Sequence, residues 1–160
     1  MRKINLGEKP DIGEIVAVVG GGNTAIDARR MAKKSGAKQV SIIYRRREKN
    51  MPAFKSEIEA AKQEGINIIS CATPVKIEKE EDGLLKIECL KMELKEDDET
   101  GRPKPIPLED SSFHVFVHNL IVAVGEEMDL SFMEGSNTKL LKKIFIASGG
   151  GTVAAAIGSG

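Results

Sequence analysis

The 160-residue sequence predicts an α/β fold: a parallel sheet built in the order β-α-β-α-β, with a small antiparallel β-meander as an insertion. Three observations carry this. Ile15 to Val19 is an uninterrupted apolar run, the pattern of a strand covered on both faces. Two further apolar runs follow it, each separated from the last by a stretch of helical periodicity. Val75 to Val117 then changes to a period of two, the mark of strands with one face in water.

Taken in order, the first strand gives way at Asn23 to a helical pattern. Ala25, Ile26, Ala28, Met31 and Ala32 form its expected sheet-facing stripe, and Gly36 ends it. Val40 to Tyr44 reads as a second strand. Pro52 breaks the chain, and Phe54 to Glu64 is a second helix closed by Gly65. Ile66 to Cys71 is a third strand. The meander is assigned to Val75–Glu80, Leu84–Leu94 and Phe113–Val117. Its connections, Glu80 to Gly83 and the acidic, proline-rich stretch Lys95 to Pro107, are expected to be solvated. Leu120 to Val124 returns to a buried-strand pattern ending at Gly125, and Ile144 to Ala147 reads as a last short strand. No internal repeat interrupts this order, and one domain accounts for residues 1–160.

Composition narrows the function. Hydrophobic residues make up 41% and charged residues 30%, as in a water-soluble globular domain, and the formal net charge is zero. A zero balance argues against nucleic acid or an acidic membrane as partner, because binding phosphate on that scale needs excess positive charge. Met1-Arg2-Lys3 leads into no apolar leader, and no apolar run approaches the ~18–20 residues of a membrane span. A reducing cytoplasm is the expected setting. Cys71 and Cys89 are too few for a four-thiolate iron–sulfur cluster; each lies in an apolar run and is expected to be a buried, reduced thiol. His114 and His118 stand four apart with no cysteine or acid spaced to complete a zinc site, so they are placed at a strand rim and no metal is expected.

The chemistry is concentrated where the first strand meets the first helix. Gly20-Gly21-Gly22-Asn23-Thr24-Ala25 fits the pattern G-x-G-x-x-G/A. Gly20 permits a tight turn out of the strand, Gly22 lacks the Cβ that would hold a pyrophosphate off the backbone, and Ala25 lets the helix lie close on the strand. The N–H groups of the helix's first turn then point at a phosphate, helped by the helix dipole. At the end of the second strand, where an NAD site usually offers a carboxylate to the ribose 2′-hydroxyl, stand Arg45 and Arg46. A guanidinium fork matches a 2′-phosphate, so the pair predicts NADP(H). The plain alternatives are a glycine turn without a ligand, and a solvated arginine patch paired with Glu48. Other glycine-turn enzymes fit less well. The only tyrosine, Tyr44, has Glu48 rather than lysine four residues on, which excludes a short-chain dehydrogenase pair, and no Gly-Lys-Ser/Thr of a P-loop follows the glycines. A methyltransferase would want an acid where the arginines stand.

These residues resemble a known group. Arg2-Lys3-Ile4-Asn5-Leu6-Gly7-Glu8-Lys9-Pro10, Val16 to Asp27, Ile42-Ile43-Tyr44-Arg45-Arg46 and Met51-Pro52-Ala53 are similar to the NADPH-binding domain of the glutamate synthase small (beta) subunit and of dihydropyrimidine dehydrogenase-like flavoprotein oxidoreductases. Leu120 to Gly125 and Thr152 to Gly160 resemble it too, so the likeness covers nearly the whole chain. It implies that NADPH passes a hydride to the N5 of FAD, with electrons going on to iron–sulfur clusters or a partner such as the glutamate synthase large subunit. It implies that Gly20, Gly21, Gly22, Asn23, Thr24 and Ala25 hold the pyrophosphate, that Arg45 and Arg46 hold the 2′-phosphate, and that Gly125 and Glu126 approach the nicotinamide. In the family this domain is inserted into an FAD domain, so residues 1–14 read as a linker remnant, 75–118 as the meander insertion and 144–160 as a remnant of the return to the FAD domain. The family's Ala-Gly-Asp before a final Thr-Val helix is replaced here by Ala147-Ser148-Gly149-Gly150-Gly151-Thr152, which has no acid and is several residues shorter. The expectation is therefore an excised domain that positions NADPH for an FAD carried outside this chain and is inactive alone, with no catalytic side chain assigned. The alternatives are a non-catalytic nucleotide-binding or interaction module, and a complete enzyme with a different flavin mode.

Overall fold

The computed structural model describes residues 3–4, 12–95, 103–123, 143–148 and 152–155. Its centre is a sheet ordered β1-β11-β10-β9-β2-β3-β4 among the described residues. The strands are β1 (Lys3–Ile4), β2 (Ile15–Val19), β3 (Gln39–Ile43), β4 (Asn67–Ile69), β9 (Asn119–Val122), β10 (Ile144–Ser148) and β11 (Thr152–Ala155). The stretch from β10 to β4 is parallel throughout, with β2 in register between β3 (Val18↔Ile42) and β9 (Val18↔Ile121). Helices α1 (Asn23–Lys34) and α2 (Lys55–Gln63) connect β2 to β3 and β3 to β4, giving the expected β-α-β-α-β order.

Strand alternation divides the core. Val16, Val18, Ile42 and Ile121 face the helices, against Ala25, Ile26, Ala28 and Ala32 of α1 and Ile58 and Ala61 of α2. Ala17, Val19, Ile43, Leu120 and Val122 face the other way, onto Ile77, Leu85, Ile87, Cys89 and Val117. That second layer is an antiparallel sheet of β5 (Ala72–Lys79), β6 (Leu85–Lys95), β7 (Lys104–Pro107) and β8 (Phe113–Val117), so helices and meander cover opposite faces of the parallel sheet.

Four expectations need correction. Residues 104–107, read as part of a solvated connection, form β7 beside the far half of β6, with Met92↔Pro107 and Lys95↔Lys104. Its prolines are tolerated because the N–H of Leu108 donates to the Lys91 carbonyl at 2.9 Å. By alternation Ile106 and Lys104 share that direction, so Pro105 and Pro107 turn their donor-less nitrogens away from β6. The third parallel strand is shorter than Ile66–Cys71: it ends at Ile69, and Cys71 takes a positive φ of 54° that turns the chain straight into β5. Thr152 to Ala155, expected inside a helix, are strand β11, antiparallel to β10 with Ala147↔Val153. An open edge of β10 offers a ladder of hydrogen bonds, and the β-branched Thr152 and Val153 suit a pleated surface better than a helix. Finally, the buried stripe of α1 contains Arg29, while Met31 is only partly covered.

Lys3 and Ile4 of the 1–14 stretch pair with Ala154 and Val153 at the sheet's edge. Among the described residues no helix is long and apolar enough to cross a membrane.

Candidate dinucleotide-binding site

The strand order reverses between β2 and β9. In an open α/β sheet, the crevice beyond the carboxyl ends of the strands at such a point is where ligands bind. The three glycines stand at the end of β2, and each has a different surrounding. Gly20 has φ +141°, and a Cβ there would lie 2.0 Å from the carbonyl oxygen of Ala123, at the end of β9. Its N–H donates to the Ile43 carbonyl at 3.1 Å, while the N–H of Ala123 donates to Val19 at 2.8 Å, so the three strand ends are tied together. A Cβ on Gly21 would lie 2.5 Å from the Tyr44 ring. A Cβ on Gly22 would meet nothing within 4 Å. Two glycines are thus needed for the protein's own packing, and the third leaves open backbone at the mouth of a helix.

That helix is α1. Gly22 is its N-cap, so no side chain caps it, and no acid stands in its first turn, while Lys33 and Lys34 lie in its last. The amino end keeps its positive field for an anion. The N–H groups of Ala25 and Ile26 are spent on the Gly22 carbonyl at 3.1 and 3.3 Å. Ala25 is fully buried, as its role in close helix–sheet contact requires; Thr24 is half-buried and Asn23 exposed. The Oδ1 of Asn23 accepts from the N–H of Phe54 at 3.4 Å.

The segment after β3 folds back on this turn. Tyr44 is buried against Gly21 and its hydroxyl donates to the Asn50 carbonyl at 3.0 Å. The N–H of Ala53 donates to Gly21 at 3.1 Å. Arg45 is half-buried. Arg46 is 8% exposed, and its Nε donates to the Pro103 carbonyl at 2.7 Å. The glycine turn and the arginine segment are therefore brought together by direct hydrogen bonds. Gly125 and Glu126 lie outside the described residues; β9, which leads to them, ends beside Gly20.

Sequence reasoning passed over the links between these parts: Tyr44 as a packing plate for Gly21, the return of Ala53 and Phe54, and Pro103 as an acceptor. Met51-Pro52-Ala53 was the available signal, since an apolar residue and a proline right after six polar residues, Arg45 to Asn50, suggest a loop that packs.

Other polar groups are engaged elsewhere. The Nδ1 of His118 accepts from the Ile15 N–H at 3.1 Å, and His114 stands 3.7 Å from Glu88, so the two histidines serve different contacts. Both cysteines are free thiols; burial pushes the Cys89 thiol up to about 12, while Cys71 is only partly covered. Among the described residues no group of His, Cys, Asp or Glu could hold a metal ion.

Fold and site together define an α/β domain whose strand–turn–helix carries the glycine pattern of dinucleotide-binding folds. Residues 1–156 match the family described as pyridine nucleotide-disulphide oxidoreductase, and the chain belongs to that family. The NADP(+)-dependent formate dehydrogenase subunit beta of Moorella thermoacetica is 37% identical over 136 residues, 84% of this chain and 19% of that protein. The NADPH-Fe(3+) oxidoreductase subunit beta of Geobacter sulfurreducens is 38% identical over 134 residues, 83% of this chain and 20% of that one. The glutamate synthase [NADPH] small chain of Halomonas elongata is 36% identical over 113 residues, 71% and 24% respectively. The chain thus spans about a fifth to a quarter of these relatives' length. Among solved structures, the His57Gln mutant of FprA from Mycobacterium tuberculosis matches with a TM-score of 0.57 at 14% identity, covering 71% of this chain and 39% of that one, which supports the fold.

Proposed function

We propose that this chain is the NADPH-binding domain of a flavoprotein oxidoreductase of the glutamate synthase small-subunit type, positioning NADPH for hydride transfer to an FAD held outside residues 1–160. The observation that carries the proposal is Gly22. It is the one glycine of the described turn whose missing Cβ leaves open space, and it caps a helix that has no acid in its first turn. Backbone N–H groups at that point suit a pyrophosphate, and the loop that offers Arg45 and Arg46 is hydrogen-bonded to the same turn through Tyr44 to Ala53. A positive loop beside the adenosine ribose favours a 2′-phosphate over a hydroxyl.

NADPH, when bound, supplies the hydride. The chain's part is to fix the pyrophosphate at Gly20 to Ala25, fix the 2′-phosphate at the arginine loop, and direct the nicotinamide toward the carboxyl end of β9, where Gly125 and Glu126 follow. Such chemistry depends on placing one ring against another rather than on a side chain that reacts. FAD does not fit residues 147–152, which carry no acid for its ribityl chain, and β11 stands where the resemblance implies a helix. The partners in this reading are the FAD domain of the parent protein and, beyond it, an iron–sulfur or large subunit, in a reducing cytoplasm.

Nicotinamide fluorescence titration of the chain with NADPH and with NADH tests the proposal. Hydrogen bonds to charged groups contribute roughly 1.5–3 kcal/mol, so NADPH should bind about ten- to a hundredfold more tightly. Equal affinities, or binding of neither, would remove the cofactor assignment.

A further inference from the structure

We infer that His118 and Asn119 form a latch on the segment that enters the parallel sheet, Ile12 to Ile15, and that the His118 half of it opens in acid. The latch stands apart from the proposed cofactor site: it lies at the amino ends of β2, β9 and β10, whereas the glycine turn follows the carboxyl end of β2. Pairing between β2 and β9 begins at Val16, opposite Asn119. Ahead of that pair, two N–H groups of the entering segment are met by side chains. The Gly13 N–H donates to Oδ1 of Asn119 at 2.8 Å, and the Ile15 N–H donates to Nδ1 of His118 at 3.1 Å. The His118 N–H donates back to the Ile15 carbonyl at 2.8 Å, so residue 118 holds both polar groups of Ile15. A Cβ on Gly13 would lie 2.5 Å from Cβ and Cγ of His118, so the histidine packs directly on the Gly13 backbone.

The two halves differ in what a proton does to them. Asn119 is buried, and its Nδ2 donates to the Lys143 carbonyl at 3.3 Å, so its amide is fixed at both ends and does not titrate. A backbone N–H can only donate, so Nδ1 of His118 is the bare nitrogen and Nε2 carries the hydrogen. An imidazole takes up its second proton between about pH 8 and pH 5; both nitrogens then donate, and Nδ1 turns a hydrogen on the Ile15 N–H. His118 is half-buried, so water can deliver that proton. The charged groups that neighbouring elements bring to this end of the sheet have partners of their own. Glu14 pairs with Lys38 at 3.3 Å and Glu80 with Lys86 at 4.0 Å. Asp82 accepts from the Leu84 N–H at 3.0 Å, and Nζ of Lys143 donates to the Gly83 carbonyl. The direction in which the chain enters the sheet is therefore fixed at neutral pH and loosened in acid, with Asn119 as the hold that remains.

Asparagine separates the acceptor from the titration. Its Oδ1 is as many bonds from the backbone as Nδ1 of histidine, so His118→Asn can keep the bond to Ile15 and cannot take up a proton. Amide hydrogen exchange, followed by NMR on the full chain, reads the protection of Ile15 relative to Val18, which β3 and β9 flank on both sides. A protein that is merely less folded loses both alike. One hydrogen bond corresponds to about a fivefold change in protection. Between about pH 7.5 and pH 5 the Ile15-to-Val18 ratio should fall about fivefold in the wild type, hold in His118→Asn, and be low throughout in His118→Ala. Nitrogen-15 shifts of the wild-type imidazole at neutral pH should show hydrogen on Nε2 and none on Nδ1. A wild-type ratio that does not change with pH would overturn the inference. So would an equal fall in His118→Asn, or an imidazole with its hydrogen on Nδ1.

Discussion

Placing a methyl group at Gly20 or at Gly22 should have opposite consequences two residues apart. At Gly20 the backbone has φ +141°, and the new Cβ would sit 2.0 Å from the Ala123 carbonyl oxygen. A side chain held in such a φ region costs ~1–3 kcal/mol. The overlap adds to that, because the Ala123 carbonyl cannot retreat freely: its own N–H is bonded to Val19 at 2.8 Å, and the Gly20 N–H to Ile43 at 3.1 Å. Gly20→Ala should therefore cost about 3 kcal/mol or more, a fall in Tm of roughly 6–12 °C for a chain of this size. At Gly22 the backbone is extended, with φ −93°, and the methyl meets nothing within 4 Å. Reduced freedom of the unfolded chain favours alanine there by ~0.4–1 kcal/mol, and poorer N-capping offsets it by a similar amount. Gly22→Ala should melt near the wild-type temperature while holding a pyrophosphate off the helix end, which weakens NADPH about tenfold or more. Thermal melting and a fluorescence titration on the two variants read both effects. A Gly22→Ala protein that binds NADPH as the wild type does, or that melts as low as Gly20→Ala, would refute this reasoning.

Two further substitutions probe the layers around the site. Arg29 is 1% exposed and paired with Glu64, itself 57% exposed, and its Nε and Nη2 have no hydrogen-bond partner. Removing Glu64 strands a buried charge, whereas removing Arg29 leaves only a carboxylate already in water, so urea melts should show Glu64→Ala losing about 1–3 kcal/mol and Arg29→Met losing less or gaining. The Cys89 thiol, raised by burial from 9.0 to about 12, stays protonated in the folded state at pH values where the unfolded chain has lost the proton. Its contribution is complete below pH 9 and is lost as the pH rises toward 12. Denaturant midpoints should therefore fall across that window, less steeply in Cys89→Ala, and a thiol reagent at pH 8 should label Cys71 long before Cys89.

The parallel half of the fold was legible because its signals are local and strong. Ile15 to Val19 has no polar interruption, and the glycine turn is followed at once by a helical stripe. The antiparallel half was legible in its alternating strands and not in β7, since Pro105 and Pro107 read as a loop until an edge position gives their nitrogens a direction in which no donor is needed. Strand β11 was missed for a different reason: nothing local marks Thr152 to Ala155 as a strand except β-branching, and the deciding factor is the open edge of β10. The candidate site divides in the same way. Gly20 to Ala25, Arg45 and Arg46 stand out as types at a spacing, but the burial of Arg46 and its hydrogen bond to Pro103 depend on a residue 57 positions away. Likewise, Arg29 lies at helical spacing on the same stripe as Ala25, Ile26 and Ala32, and only its charge assigns that position to water.

Backbone amide chemical shifts during titration with NADP+ test the central claim most directly. The largest changes are expected at Gly21 to Ala25 and in the arginine loop at Arg45 and Arg46, with smaller ones through Tyr44 and Ala53, and little change on the outer face of the meander at Lys76, Glu88 or His114. Shifts centred on the meander, or none along the glycine turn at saturating NADP+, would contradict it.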